Sequence, residues 1–330
     1  MDGYLLAAMQ PLSLGTREPV LDGRVKLGLA IAHFRVTVTF ARFVAVPAQK
    51  VSMSFLIGIL AFACLVGLVV IIGAPKLERS LMYMADSTYT KPGEAGLLGV
   101  SEETLETPDG DKIIVWYCPP KPDQPTILYL HGNAGTLADR AERIANFQRM
   151  GRGICVMSYR GYSGSTGLPS ERANVADAVL TFDMLTKRGV SPDDIFAYGE
   201  SIGSGIAVQL ARKRPLAGLI LDAPYTSIVD VAELCYPYLP ARQMMRDRYE
   251  TLKHLQHVEA PLLVVHGEAD RVIPVEMGRK VAASARGPAE IVTFPEAGHS
   301  DHHLYGSFEA INSWIDRWRR PGTSSMAEAG

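Results

Sequence analysis

Ser201, Asp270 and His299 are the three residues whose types and spacing fit nucleophilic catalysis. Ser201 lies in Gly199-Glu200-Ser201-Ile202-Gly203, a G-x-S-x-G sequence. The apolar run "DIFAY" (194–198) precedes it, and "IAVQLARKR" (206–214), helical in pattern and stopped by Pro215, follows. A serine at a strand-to-helix turn of this kind is held on a sharp bend that projects its hydroxyl, with glycines where bulkier neighbours would collide. The hydroxyl is a weak nucleophile, so it needs a base, and the base needs an orienting acid. Asp270 in "VVHGEADRVIP" and His299 in "FPEAGHSDHH" each follow a run that reads as a strand, and they come in the order Ser, acid, His. Asp222, at the end of an earlier strand, is the alternative acid; His302 and His303 are the alternative bases.

Acyl transfer also needs donors for the oxyanion. The amide of Ile202, next after the nucleophile, is one candidate. The amide of Asn133 or Ala134, in the "HGNAGT" loop (131–136), is the other. His131, His254 and His257 read as structural or surface residues. "HSDHH" invites a metal reading, but no second ligand-like cluster accompanies it. The glycine-rich "SYRGYSGSTGLPS" (158–170) lacks the P-loop pattern, and Tyr159, Arg160 and Tyr162 read as loop-stabilising or cleft-lining residues. No metal and no organic cofactor is expected.

The elements that must position these residues alternate. "EETLETPDGDKIIVWYCPP" (102–120) reads as a hairpin across Pro108-Asp109-Gly110. Strands are expected at 126–131, 153–158, 194–199, 217–223, 260–268 and 289–296, and helices at 137–150, 171–188, 202–214 and 308–318. Ser170 is a plausible N-cap. Such alternation predicts an α/β fold, a mostly parallel sheet with helices on both faces and sites at the carboxyl ends of the strands. Residues 224–259, rich in Pro, Tyr and Met, break the rhythm and read as a small helical cap within a domain spanning 101–320.

Upstream, "SFLIGILAFACLVGLVVIIG" (54–73) lies in an uncharged stretch from Val51 to Pro75, long enough for a bilayer-spanning helix. The reading is therefore an N-terminal extension (1–52), one transmembrane anchor (53–75), a linker (76–100), the α/β domain and a disordered tail (321–330). Met53, directly before the apolar run, is an alternative translation start. The orientation depends on it: with residues 1–52 present, their basic residues put the N-terminus in the cytoplasm and the main domain outside, whereas Lys76, Arg79 and Lys91 alone favour a cytoplasmic main domain. Residues 1–52 carry six Lys/Arg and three Asp/Glu, leaving 27 and 32 for the rest, a net of −5. That balance argues against nucleic acid as a partner. Cys64, Cys118, Cys155 and Cys235 form no CxxC pair and read as free thiols, with a disulfide among the last three left open.

"HGNAG", "YRGYSGSTGLPSE", "GESIGSG", "GEADRVIP" and "AGHSD", in this order, resemble the α/β-hydrolase superfamily. More closely they resemble its membrane-anchored, bud-emergence-related branch, similar also to serine-aminopeptidase-type hydrolase domains. The resemblance covers roughly 55–320 and implies a Ser-His-Asp hydrolase of ester, thioester or lipid substrates. The alternatives are an aminopeptidase-type serine peptidase, and a membrane-anchored scaffold or receptor that keeps the fold without turnover.

Overall fold

The computed structural model describes residues 52, 57–62, 78–80 and 82–319. The N-terminal extension, most of the apolar run and the tail from Arg320 lie outside the described residues. Among those described, no helix is long and apolar enough to cross a membrane.

Eight strands form one sheet: β1 (Ser101–Glu106), β2 (Lys112–Cys118), β3 (Thr126–Leu130), β4 (Gly153–Met157), β5 (Ile195–Glu200), β6 (Gly218–Asp222), β7 (Leu262–Gly267) and β8 (Ala289–Phe294). Their spatial order is β1-β2-β4-β3-β5-β6-β7-β8. β2 is antiparallel to both of its neighbours and the remaining pairs are parallel. The hairpin between β1 and β2 turns at Thr107–Asp111, where the Thr107 hydroxyl donates to Asp109 and Gly110 takes a positive φ. β3, β4, β6 and β7 are buried along their whole length, as their near-continuous apolar sequences require of strands covered on both faces.

The covering helices are α1 (Ala141–Arg149), α2 (Glu171–Lys187), α3 (Ile202–Lys213), α7 (Val275–Ala283) and α8 (Ser307–Trp318). One core packs Ile144 and Phe147 of α1 and Trp314 and Ile315 of α8 against the sheet; the opposite core takes Phe182 of α2, Ile206 of α3 and Val281 of α7. Ser170 caps α2 by accepting the Ala173 amide, as its position predicts. Helix α7 is missing from the sequence-based expectation. The stretch 83–100, expected as a linker, has no regular element, yet it buries Tyr83 and Leu97 in the domain.

Between β6 and β7 the chain makes the excursion expected as a cap, with three short helices: α4 (Ile228–Cys235), α5 (Ala241–Met244) and α6 (Thr251–Leu255). The Ile228 amide donates to Arg248 O at 3.0 Å and closes the excursion at its base. Cys118, Cys155 and Cys235 are free thiols.

Parallel register lines up the carboxyl ends of the central strands. Leu130 of β3 is opposite Gly199 of β5, Glu200 is opposite Asp222 of β6, and Asp222 is opposite Val265 of β7. The chain passes from β3 to β4 on one side and on to β5 on the other, so β3/β5 is the point where strand order reverses. Ligand crevices of open α/β sheets form at such points.

Candidate active site

Ser201 follows β5 directly and adopts φ 50°, ψ −118°, a left-handed conformation that costs a non-glycine residue roughly 1–3 kcal/mol. Its amide donates to Asp222 O at 2.8 Å, which ties the bend to β6. The flanking glycines are obligatory. A Cβ on Gly203 would sit 2.0 Å from Leu130 O, and one on Gly199 would sit 2.4 Å from Gly203 O. The start of α3 is thus pressed onto the end of β3.

His299 reaches this serine from the loop after β8. Its Nε2 is 3.1 Å from Ser201 Oγ and its Nδ1 is 2.7 Å from Asp270 Oδ2. With Nδ1–H donating to the carboxylate, Nε2 is left free to accept the serine proton. Asp270 is buried, and its second oxygen accepts the amides of Val272 and Ile273 at 2.8 and 2.9 Å. Burial alone would raise its pKa, but His266, His299 and the backbone donors hold it well below the usual carboxylate range. Burial likewise opposes a charge on His299; Asp270, with Glu200 and Asp222 further off, outweighs it and leaves the imidazole more basic than an ordinary histidine. The His299 loop is itself braced by the Gly298 amide, which donates to Asp301 at 2.6 Å.

The loop 131–134 lies against the serine turn, with Gly132 packed on the Glu200 carboxylate. The Asn133 side chain is occupied: its Nδ2 donates to Met82 O at 2.7 Å, and its Oδ1 accepts from Tyr162 Oη at 3.1 Å. The amide of Ile202 is in the first turn of α3, where no intrahelical acceptor exists. His131 is neutral at physiological pH, because burial drives its pKa down to about 4. It stacks on Tyr159 at 4.0 Å, and its Nδ1 donates to Gly132 O at 2.7 Å.

Arg160 and Tyr162 brace the loop after β4. The Arg160 guanidinium holds Asp109, Asp111 and Asp177 within 2.6–2.8 Å, joining the β1–β2 turn to α2.

The alternative acid and base do not join Ser201 and His299. They pair with each other: His302 Nε2 is 2.8 Å from Asp222 Oδ1, both buried. They belong to a polar cluster that sequence spacing does not reveal. Arg143 of α1 is 2.7 Å from Glu200 and 3.8 Å from Asp222. Tyr129 donates to Glu200 and Tyr198 to Asp222. Burial favours neutral carboxyl groups here, but Arg143 and Arg140 keep Glu200 ionised, and His302 with Arg143 keeps Asp222 ionised. His266 is the other residue missed. Four residues before Asp270, its Nε2 is 2.8 Å from Ile273 O and 3.3 Å from Asp270 Oδ2. The only sequence signal was its place at the carboxyl end of a strand. Among the described residues, no cluster of three or more His, Cys, Asp or Glu side chains is grouped to hold a metal.

Residues 121–240 match the family described as serine aminopeptidase, S33, and residues 233–328 match the TAP-like protein family. An uncharacterized protein of Mycobacterium tuberculosis is 33% identical over 249 residues, covering 74% of this chain and 89% of its own. The lysophosphatidylserine lipase ABHD12 of Danio rerio is 28% identical over 278 residues, covering 70% of this chain and 72% of its own. Among solved structures, an esterase of Pyrococcus furiosus superposes with a TM-score of 0.59 at 16% identity, over 72% of this chain and 99% of the esterase. An alpha-beta hydrolase of Vibrio vulnificus superposes with a TM-score of 0.56 at 24% identity, over 65% of this chain and 81% of its own.

Proposed function

Given that this chain belongs to the α/β-hydrolase superfamily, we propose that it is a membrane-anchored serine hydrolase of carboxylic esters or thioesters with an apolar acyl part. The observation that carries the reading is His299, bridging Ser201 Oγ at 3.1 Å and Asp270 Oδ2 at 2.7 Å. In the reaction, Ser201 Oγ attacks the acyl carbon as Nε2 of His299 takes its proton. Asp270 keeps the other ring nitrogen protonated and stabilises the imidazolium. The amides of Ile202 and of Asn133 or Ala134 receive the oxyanion; losing one such donor typically costs about 10²–10³ in rate. The imidazolium returns its proton to the leaving alcohol or thiol. Water, deprotonated by His299, then attacks the acyl carbon, and the imidazolium returns that proton to Ser201 Oγ as the acid leaves.

Three lines support the substrate class. The ABHD12 relatives are named as lysophosphatidylserine lipases. The apolar run at 54–73 has the length of a bilayer span. The cap also carries several apolar side chains. The aminopeptidase description of the family model raises the alternative of a peptidase. A free amino terminus would need an uncommitted carboxylate near Ser201. Glu200 and Asp222 are instead engaged by Arg143, Tyr129, Tyr198 and His302. The test is hydrolysis by the detergent-purified full chain of acyl esters and thioesters of graded chain length, beside aminoacyl amides. Saturable release of fatty acid is expected. Turnover of amides alone would replace this reading with the peptidase.

A further inference from the structure

The cap excursion has an apolar tip. Leu234, Tyr236, Tyr238, Leu239 and Met244 are all exposed, Tyr238 at 97%. Beside it, Arg242 is paired to two carboxylates, Asp230 at 3.0 Å and Glu233 at 2.7 Å, so this ion cluster is net acidic. Five large apolar side chains within eleven residues are more than scattered surface exposure, and they call for a partner.

The far end of the excursion is fastened to the segment that follows the apolar run. Glu78 accepts the amides of Arg246 and Asp247 at 2.6 and 2.9 Å. Tyr83 donates to Asp247 at 2.8 Å and contacts the Tyr249 hydroxyl at 2.9 Å, and that hydroxyl accepts from Asn174. The uncharged run ends at Pro75, three residues before Glu78. Three residues reach at most about 11 Å. The excursion's base also meets the carboxyl edge of the sheet, because the Arg248 amide donates to Glu171 at the start of α2, just after the loop that leaves β4.

We infer that the apolar tip at 234–244 lies in the surface of a phospholipid bilayer, held there by the Glu78 and Tyr83 clasp on 246–249, so that substrate reaches Ser201 from the lipid phase. The inference rests on the reading of 54–73 as a membrane span. A span ending at Pro75 leaves the clasp within one short tether of the interface, with the cap tip beside it. Tyrosines suit that depth, with ring buried and hydroxyl wet. With Arg242 held by two carboxylates in a net acidic cluster, attraction to anionic lipid is not assigned as the source of the contact. Apolar burial is, at a depth of about 5–10 Å.

The full chain is reconstituted into phosphatidylcholine vesicles brominated in the upper acyl chain, with either Tyr238→Trp or Lys187→Trp. Lys187 ends α2 at the opposite edge of the sheet and is exposed. Bromine quenching beyond the wild-type background is expected for Tyr238→Trp, unchanged in 1 M salt, and none for Lys187→Trp. Carbonate extraction separates the two ideas. A chain that resists extraction yet shows no quenching at 238 keeps its anchor and overturns the cap contact. An extractable chain that is still quenched loses the anchor and keeps the contact. Quenching lost in salt overturns the apolar assignment, and a protomer–protomer crosslink at 238 without quenching gives the face to a second copy instead. A functional readout runs alongside. Tyr238→Ser with Leu239→Ser should lower hydrolysis of vesicle-embedded esters by on the order of tenfold, the worth of one buried large apolar side chain. It should leave a soluble short-chain ester unaffected; equal loss on both substrates contradicts the inference.

Discussion

Two histidine–carboxylate pairs have their histidines three residues apart in sequence, yet opposite surroundings. His299 is 2.7 Å from Asp270, keeps a fifth of its side chain exposed and presents its other nitrogen to Ser201. His302 is 2.8 Å from Asp222, is buried, and has Arg143 and Tyr198 around its carboxylate rather than a nucleophile. In the proposed reaction the same two residue types make a proton relay in one place, while they form an internal strut in the other. The difference lies in what the second ring nitrogen meets and in whether the carboxylate has other cations to neutralise. Asp222 does double duty, because its carbonyl also receives the Ser201 amide. The strut thus braces the bend on which the relay acts.

The comparison breaks most visibly in rate. Ser201→Ala and His299→Ala should each lower kcat by on the order of 10⁶-fold with little change in Tm, since such residues act as a unit. Asp270→Asn should cost about 10⁴-fold, through the wrong histidine tautomer. Gly203→Ala, whose methyl group would collide with Leu130 O, should displace the serine and cost at least about 10²-fold. His302→Ala should do the reverse. It takes the nearest cation from buried Asp222 and leaves Arg143 at 3.8 Å and the Tyr198 hydroxyl, so unfolding should show a loss of up to about 3–5 kcal/mol, while activity per folded molecule stays within about tenfold. A His302→Ala enzyme with wild-type stability and no turnover would reverse the assignment of the two pairs.

The pH profile sharpens the contrast. In the proposed reaction turnover needs neutral His299, so kcat/KM should rise with pH through its pKa. Asp270, Glu200 and Asp222 raise that pKa, so the acid limb should lie above the ordinary histidine value of about 6.5. Glu200→Gln removes one of those charges and should move the limb down, on active-site-titrated enzyme. An upward shift would show that Glu200 does not act on His299 as a charge. The smallest effect is expected at His303, partly exposed and contacting Ser300 O at 3.0 Å: His303→Ala should stay within about twofold in rate, a typical surface value.

Local signals made much of this molecule legible in its sequence. The G-x-S-x-G turn, the strand runs and the Ser170 cap each depend on neighbours a few residues away, and the eight-stranded sheet follows the expected alternation. Helix α7 was hidden by Gly278 in its middle. The structure gives the reason: a Cβ there would lie 2.4 Å from His266 Nδ1, so the glycine serves a close approach rather than a turn. The Glu200–Arg143–Asp222–His302 cluster was hidden for another reason. Its members lie up to 159 residues apart and meet only because the register aligns the strand ends. Sequence spacing carries the period of an element, not the pairing of strands distant in the chain, so the strut was visible only as a set of rival catalytic candidates.

The most direct measurement is fluorophosphonate labelling of the full chain beside Ser201→Ala, His299→Ala and His302→Ala, with folding followed by circular dichroism. The account predicts one labelled serine in the wild type, labelling lost in the first two variants and retained by the folded fraction of the third. A folded wild type that takes no label, or label that survives Ser201→Ala, would contradict it.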